Sequence, residues 1–328
     1  MTIAEALDLQ APVAASSGRR WRVFRGLLHK KIACISIVII SVFYLAGILA
    51  PWAAPYGENE QPARLTQQLS NASPSSDHLL GTDRLGRDVL TRVMFACRTT
   101  IIYTLIVLVM GGLFLGVGLG LLAGYRGGWV DTVIMRVGEI LGGVPTLILI
   151  LAITAAFRAR LTDAGFWLGD HTFLNTEDAR TVVQFALLVG ASVPFAWIGG
   201  CRVVRAQTLR LREMQFVEAA ESQGASTFRI LTRHIFPSVL PLFLVGVTGG
   251  MAGIALTEVS LSFLGLGISE PAASFGTLIA DGAGPRAIEL FPHLFYGPTI
   301  PVVLFFLAWN LLGDALVDLL EVRSTHEV

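Results

Sequence analysis

A polar insert between two long apolar runs is the stretch of this sequence whose residue types and spacing indicate the most definite chemistry. It reads Glu-Ala-Ala-Glu-Ser-Gln-Gly over residues 218–224, and ten residues later Ile-Phe-Pro follows at 235–237. Good helix formers, small alanines that let another surface approach, and a glycine that can end a helix are typical of a docking element. The chemistry that this pattern predicts is recognition of a protein surface rather than catalysis.

Helical spacing within the insert predicts a helix, a sharp turn and a second short helix. One face of the first helix carries Phe216, Ala219, Ala220 and Gln223, and the Glu218 carboxylate lies beside this face. Gly224 can adopt the left-handed conformation that ends a helix, Ser226 fits an N-cap, and Phe228 belongs to the second helix. Pro237 is expected to open the next apolar helix. The residues alone leave a second interpretation open, in which the insert is a solvated loop on the membrane surface.

A carboxylate inside an apolar run is the second chemical feature. Glu258 follows residues 235–257, which carry no charge, and Ser262 lies one helical turn further on. An ionisable group at membrane depth costs a few kcal/mol, so it needs water, a partner or a function. On an ideal helix Glu258 lies about 30 Å from Pro237, near the far end of a crossing segment. We predict that Glu258 lines a translocation route or its outer gate, and a satisfied structural carboxylate near the interface is the alternative that the sequence leaves open.

The elements that carry these residues are predicted to be membrane-spanning helices. Hydrophobic residues make up 53% of the chain, charged residues only 15%, and the mean hydropathy is +0.66. A helix needs about 20 mostly apolar residues to cross a bilayer. Six windows meet this requirement: 32–57, 99–125, 137–157, 181–201, 235–257 and 290–313. The predicted fold class is therefore all-α, a polytopic membrane protein with six transmembrane helices.

Basic residues set the predicted orientation. Six of them precede the first span and hold the N-terminus in the cytoplasm by the positive-inside rule: Arg19, Arg20, Arg22, Arg25, Lys30 and Lys31. The predicted organisation is a cytoplasmic tail (1–31), the first span (32–57), an external loop (58–98), a five-helix core (99–320) with a cytoplasmic loop (202–236), and a cytoplasmic tail (321–328). Four arginines in the external loop argue the other way: Arg84, Arg87, Arg92 and Arg98.

Glycine spacing predicts two close helix contacts. Gly112, Gly116, Gly120 and Gly124 recur every four residues in the second span, and glycines at 246–253 repeat the spacing in the fifth. Small residues on one face let helix backbones approach each other. We favour packing within the chain for the first set and a pore or subunit interface for the second.

No arrangement for catalysis, nucleotide binding or metal binding is found in the sequence. It contains no Gly-x-x-x-x-Gly-Lys-Ser/Thr motif, and the spans contain no His-Glu-x-x-His, Ser/His/Asp or paired-carboxylate arrangement. The three cysteines match no metal or redox spacing, and Asp170 and His171 have no companion pair. A net charge of zero gives no reason to expect nucleic acid binding. We therefore expect neither a metal site nor enzyme activity.

The insert resembles the EAA loop of the membrane subunits of bacterial ABC importers, with Phe236 in place of the common leucine. Further motifs resemble the second permease subunit of the dipeptide, oligopeptide and nickel group of these importers. They are His-Leu-Leu-Gly-Thr-Asp at 78–83, Gly-Tyr-Arg-Gly-Gly-Trp-Val-Asp at 124–131, Glu-Val-Ser-Leu-Ser-Phe-Leu-Gly at 258–265 and Asn-Leu-Leu-Gly-Asp at 310–314. The resemblance covers most of residues 30–320. The segment 158–180 departs from it, because we expect an external loop there that is longer than the family has.

This resemblance implies the ABC type I importer permease fold and half of a translocation pathway in an ATP-driven importer of peptides, located in the bacterial cytoplasmic (inner) membrane. The implied partners are a homologous second permease subunit, two cytoplasmic ATP-binding subunits that hold ATP and Mg, an external substrate-binding protein and the lipid bilayer. No cofactor is expected on this chain. The residues implied in ATPase coupling are Phe216, Glu218, Ala219, Ala220, Gly224, Ser226 and Phe228, and those implied in the pathway are Glu258 and Ser262. Nickel or another small solute is an alternative cargo, and a secondary transporter without an ATPase is an alternative function.

Overall fold

The computed structural model describes residues 30–61, 70–172 and 175–324, and these form helices joined by turns, without a β-strand. In chain order the helices are α1 (Lys31–Ala53), α2 (Val89–Arg126), α3 (Gly128–Gly142), α4 (Thr146–His171), α5 (Thr176–Leu211), α6 (Gln215–Ser222), α7 (Thr227–Phe263), α8 (Phe275–Gly282), α9 (Pro285–Leu290) and α10 (Pro292–Ser324). Two of them contain π-helical stretches, at Leu108–Val117 in α2 and Leu231–Ile235 in α7, and α5 is interrupted at Trp197. The predicted all-α fold class is confirmed.

Five of these helices, α1, α2, α5, α7 and α10, are long and apolar enough to cross a membrane. Helices α3 and α4 qualify only as a pair, and their axes bend by 79°. Counting this pair as one broken span gives the six spans that the sequence predicted. The third predicted span, 137–157, is therefore not a continuous helix. Gly142 and Gly143 weaken the helix, and Pro145 disfavours a helical conformation at the residue before it.

Several helices extend beyond their apolar windows. Helix α2 starts at Val89, inside the predicted external loop 58–98, because the Asp88 carboxylate caps it by accepting the Thr91 amide at 2.7 Å. The predicted loop at 158–180 is mostly helical, since α4 runs to His171 and Asn175 caps α5. The expectation of a long loop there is wrong. Hydropathy marks only the apolar part of a helix, whereas polar caps set its ends.

Both ends of the described chain lie at one end of the helix bundle. Lys30, just before α1, forms an ion pair with Asp318 near the end of α10, with an N···O distance of 2.9 Å. The short helix α6 lies at the same end, close to the C-terminus of α2. We call this the hairpin end, and the opposite end, which holds residues 70–88, α8 and α9, the loop end. The predicted tail residues 1–29 and 325–328 lie outside the described residues.

The largest apolar core lies where five helices meet. It includes Phe43 of α1, Ala96 of α2, Ala255 of α7, Phe275 of α8 and Phe305 of α10. The rings of Phe43 and Phe305 stack with their centroids 4.0 Å apart. The opposite face of α1 leaves large apolar side chains exposed, namely Ile35, Val38, Val42, Leu45 and Ile48. Such a continuous apolar surface is stable against lipid tails rather than water.

The two glycine sets have different surroundings. A Cβ atom added at Gly120 would lie 2.8 Å from the carbonyl oxygen of Cys201, and one at Gly124 would lie 2.6 Å from Cβ of Thr208. The backbones of α2 and α5 thus touch, which confirms the predicted contact within the chain. A Cβ atom added at Gly246, Gly249, Gly250 or Gly253 on α7 would meet nothing within 4 Å. That face of α7 is open in the described subunit.

Candidate functional site: a helical hairpin and a buried carboxylate

The hairpin, defined as residues 214–235, contains the turn that the sequence predicts. Gly224 has a φ of 76°, in the left-handed region that favours glycine. Its amide donates to the carbonyl of Glu221 at 2.8 Å, and the amide of Ala225 donates to the carbonyl of Ala220 at 3.0 Å. These bonds satisfy carbonyl groups at the end of α6. The prediction that Gly224 ends the first helix is confirmed.

The second arm of the hairpin is part of a membrane-spanning helix. Ser226 is its N-cap as predicted, because its hydroxyl accepts the Arg229 amide at 3.4 Å. The helix then continues through the π-helical stretch into the apolar part of α7, Phe236–Phe263, which has Pro237 in its first turn as predicted. The π-helical winding just before Pro237 accommodates a residue that cannot donate a backbone hydrogen bond. The second arm of the hairpin and the span therefore form one continuous helix.

One side of the hairpin packs on its own subunit. Val217, Ile230 and Ile235 are buried against Val117 of α2 and Val204 of α5. Phe216 and Ala220 are partly buried against the same cluster, so the predicted face does not point outward as a whole. Sequence reasoning missed Val217, although an aliphatic residue inside a polar insert is a signal for an inward face.

The exposed side of the hairpin carries most of the remaining predicted coupling residues. Glu218, Ala219, Gly224 and Ser226 are exposed, and the side chain of Phe228 is 75% exposed. A carboxylate, a small residue and a large aromatic ring thus lie on the part of the hairpin that faces away from the subunit. This surface has the composition of a docking site, because exposed aromatic residues frequently act as anchors at protein interfaces.

Polar contacts that the sequence did not predict hold the hairpin to α2, and hold the end of α5 that precedes the hairpin to α2 and α3. The Tyr125 hydroxyl donates to the Glu221 carboxylate at 2.7 Å. The Arg212 guanidinium donates to the carbonyl of Gly124 at 3.1 Å, and Arg205 binds both carboxylate oxygens of Asp131. All of these contacts join residues far apart in the chain, which explains why helical spacing could not predict them.

Glu258 is fully buried, and hydroxyl groups satisfy its carboxylate. Thr100 donates to Oε2 at 3.0 Å, while Ser262 and Ser274 donate to Oε1 at 3.0 and 2.6 Å. These contacts join α2, α7 and the segment before α8. The geometry agrees with the structural alternative left open by the sequence, because the carboxylate is enclosed within one subunit in this conformation. A role of Glu258 and Ser262 in a translocation pathway stays a prediction.

Comparison with known proteins identifies this architecture. Residues 116–326 match the family described as the binding-protein-dependent transport system inner membrane component. The chain belongs to this family. Residues 19–74 also match the N-terminal transmembrane domain of oligopeptide transport permease C. The protein is thus a membrane permease, a component for transport rather than a catalytic protein.

Relatives of the permease are similar over nearly its whole length. The dipeptide transport system permease protein DppC of Bacillus subtilis (strain 168) is 31% identical over 317 residues, which are 97% of this chain and 89% of that protein. A putative peptide transport system permease protein of Brucella suis biovar 1 (strain 1330) is 34% identical over 306 residues, 92% of each chain. The oligopeptide transport system permease protein OppC of Mycobacterium tuberculosis (strain CDC 1551 / Oshkosh) is 30% identical over 308 residues, 94% of this chain and 96% of that protein.

The loop end of the permease contains a buried ion-pair network. The Arg87 guanidinium binds Asp83 and Glu270, each with an N···O distance of 2.6 Å. Burial alone would lower the pKa of Arg87, but the hydrogen bond that Arg87 donates to Glu270 and the charge of Asp83 raise it above its ordinary value. Burial likewise would raise the pKa of Glu270, but the Arg87 hydrogen bond and the nearby arginine charges lower it. Both groups are therefore charged at neutral pH.

This network accounts for two of the four arginines that argued against the predicted orientation, whereas Arg84 and Arg98 are exposed. Arg87 and Arg92 are buried, and Arg87 is paired within the subunit. The positive-inside rule concerns basic residues in loops beside spans, so an arginine neutralised inside the fold weighs less against it. Among the described residues, no group of three His, Cys, Asp or Glu side chains could hold a metal ion.

Proposed function

We propose that this permease is one of two membrane-spanning subunits of an ATP-driven ABC importer. It forms half of the pathway for peptides that an external binding protein delivers, and two cytoplasmic partner subunits hold and hydrolyse ATP with Mg. Peptide cargo is supported by relatives described as dipeptide, peptide and oligopeptide transport permeases. The same machinery carrying nickel or another small solute is the alternative cargo.

The charge distribution supports an orientation with the hairpin end in the cytoplasm of a bacterial inner membrane. Lys30, Arg126, Arg212, Arg229 and Arg233 all belong to segments at the hairpin end. Basic residues beside spans favour the cytoplasmic side. Both chain termini then lie in the cytoplasm, and the loop end faces the binding protein.

The continuity of the hairpin with α7 carries the proposal. The second arm of the hairpin, with exposed Phe228 near its start, belongs to the same helix that crosses the membrane, so a displacement of the hairpin acts directly on the end of α7. ATP binding moves the ATPase subunits, and their movement biases the membrane helices between two arrangements, as alternating access requires. Coupling is assigned to Phe216, Glu218, Ala219, Ala220, Gly224, Ser226 and Phe228.

The open glycine face of α7 supports a second permease subunit as partner. Gly246, Gly249, Gly250 and Gly253 leave room for a close approach, and nothing in the described chain fills it. Helix association in a membrane favours small residues of this kind. A homologous permease subunit packed there would complete the pathway.

Site-specific cross-linking tests the assignment of the hairpin. Ala219→Cys places a thiol on the exposed side of α6, in a background in which Cys34, Cys97 and Cys201 are alanines. We expect cross-links to an ATPase subunit in intact cells. Leu79→Cys is the matched control, because Leu79 is 63% exposed at the loop end and should give no such product. An assembled transporter without any cross-link from Ala219→Cys contradicts the proposal.

Transport assays separate the alternatives. Purified transporter in proteoliposomes, with its binding protein outside, is offered a labelled dipeptide or labelled nickel with and without internal ATP. Import that needs ATP supports the ABC importer, whereas import driven by an ion gradient alone indicates a secondary transporter. The labelled compound that accumulates identifies the cargo class.

A further inference from the structure

The turn between α2 and α3 contacts the hairpin and the helix that leads into it. Gly127 and Gly128 have φ values of 62° and 56°, which reverse the chain direction at this point. Arg212, at the end of α5, donates to the carbonyl of Gly124, and a Cβ atom at Gly127 would lie 3.2 Å from the same guanidinium. The turn thus lies directly against the start of the hairpin.

Two side chains connect this turn to moving parts of the proposed mechanism. Tyr125 donates to Glu221 within the hairpin at 2.7 Å. Asp131, in the first turn of α3, binds the guanidinium of Arg205 in the last turns of α5 through both carboxylate oxygens. An arginine and a carboxylate paired in this way fix orientation as well as distance. The Tyr125 contact therefore reaches the hairpin itself, and the Asp131 contact reaches α5, the helix that leads into the hairpin.

Helix α3 also packs on α5, because its Ile134, Met135 and Leu141 lie against the cluster of Trp197, Ile198 and Cys201. Gly138, which faces Trp197 and Ile198 of α5, is the buried residue of this helix, and its apolar residues Val133 and Ile140 are exposed. Helix α3 leads into α4 through the 79° bend. A displacement of α5 thus reaches the bent pair through this apolar packing and the Asp131–Arg205 pair, whereas the hairpin reaches it through Tyr125 and the turn.

We propose that Tyr125 and Asp131 are positioning residues for coupling, which transmit displacement of the hairpin to the bent pair α3–α4. The inference rests on the proposed function, in which the hairpin receives the ATPase subunits. The Tyr125–Glu221 contact is exposed, where a polar contact adds little to stability, whereas the bidentate Asp131–Arg205 pair is partly buried. Their role is then to keep the turn, the hairpin and α3 moving together.

Spin-label distances in the assembled transporter test this inference without knowledge of the cargo. In the cysteine-free background, one label at Leu79→Cys is the reference at the loop end. A second label reports either on the hairpin, at Ser222→Cys, or on α3, at Ile140→Cys, and all three sites are exposed. Distances are measured without nucleotide and after trapping with ATP and vanadate.

The test variants each remove one contact and keep the shape of the side chain. Tyr125→Phe loses only the hydroxyl, and Asp131→Asn loses the charge that binds Arg205. We expect the hairpin distance to change with ATP as in the parent, while the change at α3 falls by about half or more. Asp131→Glu restores the charge and should recover part of the α3 response.

Matched controls lie on the same helix. Glu139→Gln removes a carboxylate whose ion pair with Arg136 is local, and Thr132→Val removes a hydroxyl that bonds only within α3. Both control variants should show the same ATP-dependent change in the distance to α3 as the parent.

If Tyr125→Phe and Asp131→Asn also show the parent's change in the distance to α3, the positioning role is refuted. If the parent itself shows no ATP-dependent change at the hairpin, the proposed function fails instead. If Asp131→Asn does not accumulate, Tyr125→Phe decides alone.

Discussion

The two ends of the bundle are held together by different kinds of contact. At the loop end, Asp83, Arg87 and Glu270 form ion pairs inside the fold, and the Arg87 side chain is only 4% exposed. At the hairpin end, the polar contacts of Glu221 and Asp131 lie at or near the surface, and a left-handed glycine makes the turn. The Arg87–Asp83 pair at the loop end is therefore enclosed, with side chains 4% and 7% exposed, whereas the Arg205–Asp131 pair at the hairpin end keeps partial contact with solvent, at 31% and 17%.

This difference indicates which end can change shape. Buried charges are costly to separate, because each would be left without its partner in a medium of low dielectric constant. Exposed contacts exchange readily with water and can re-form in a second arrangement. We therefore expect the loop end to keep its geometry during transport and the hairpin end to rearrange.

Removing a buried charge at the loop end should have the largest effect on stability. Arg87→Ala leaves Asp83 without its buried partner and should lower the free energy of unfolding by about 3–5 kcal/mol. Arg84→Ala is the matched control, since Arg84 is 58% exposed and lies 3.6 Å or more from its acidic partners. It should cost less than about 1 kcal/mol. Thermal unfolding in detergent measures both, and equal losses would contradict the distinction between the ends.

Glu258 extends the comparison into the membrane. Glu258→Ala removes the acceptor for Thr100, Ser262 and Ser274 and leaves a cavity, so we expect a loss of about 2–4 kcal/mol. Glu258→Gln keeps the size and one acceptor oxygen and should lose less. Import should then fall only in proportion to the amount of folded protein. A Glu258→Ala variant that unfolds like the parent but imports nothing would instead assign Glu258 to the pathway.

A change in the hairpin turn should alter coupling more than stability. Valine is disfavoured at the positive φ of Gly224 by about 1–2 kcal/mol, and the strain is confined to the turn. Gly224→Val should therefore keep the spans folded but lower import per ATP hydrolysed. Gly224→Asn is the control, because asparagine tolerates this conformation. Wild-type coupling in Gly224→Val would show that the turn geometry is dispensable.

The sequence predicted the features that depend on neighbouring residues. Apolar windows located the spans, and the positions of Gly224 and Ser226 followed from local capping rules, because each acts within a few residues of itself. It could not predict the partners of Arg87 or Glu258, since Glu270 and Thr100 lie 183 and 158 residues away. The break at 143–145 and the continuity of α7 were missed because apolar length alone does not report helix direction or π-helical winding.

The pH dependence of stability should distinguish two carboxylates at the loop end. The pKa of Glu270 is lowered in the folded state, so this group stabilises the fold above its ordinary pKa, and that contribution is lost as pH falls through the folded value. Burial raises the pKa of Asp281, so its contribution has the opposite sign and is lost as pH rises through the folded value.

Unfolding temperatures measured from about pH 7 down to about pH 3 should therefore fall less steeply in Glu270→Gln than in the parent, and more steeply in Asp281→Asn. The effect should be small, since Glu270 is partly exposed. Parallel curves for the two variants would mean that Arg87 does not hold Glu270 in its charged form, and the loop end would then lack the enclosed ion pair that sets it apart from the hairpin end.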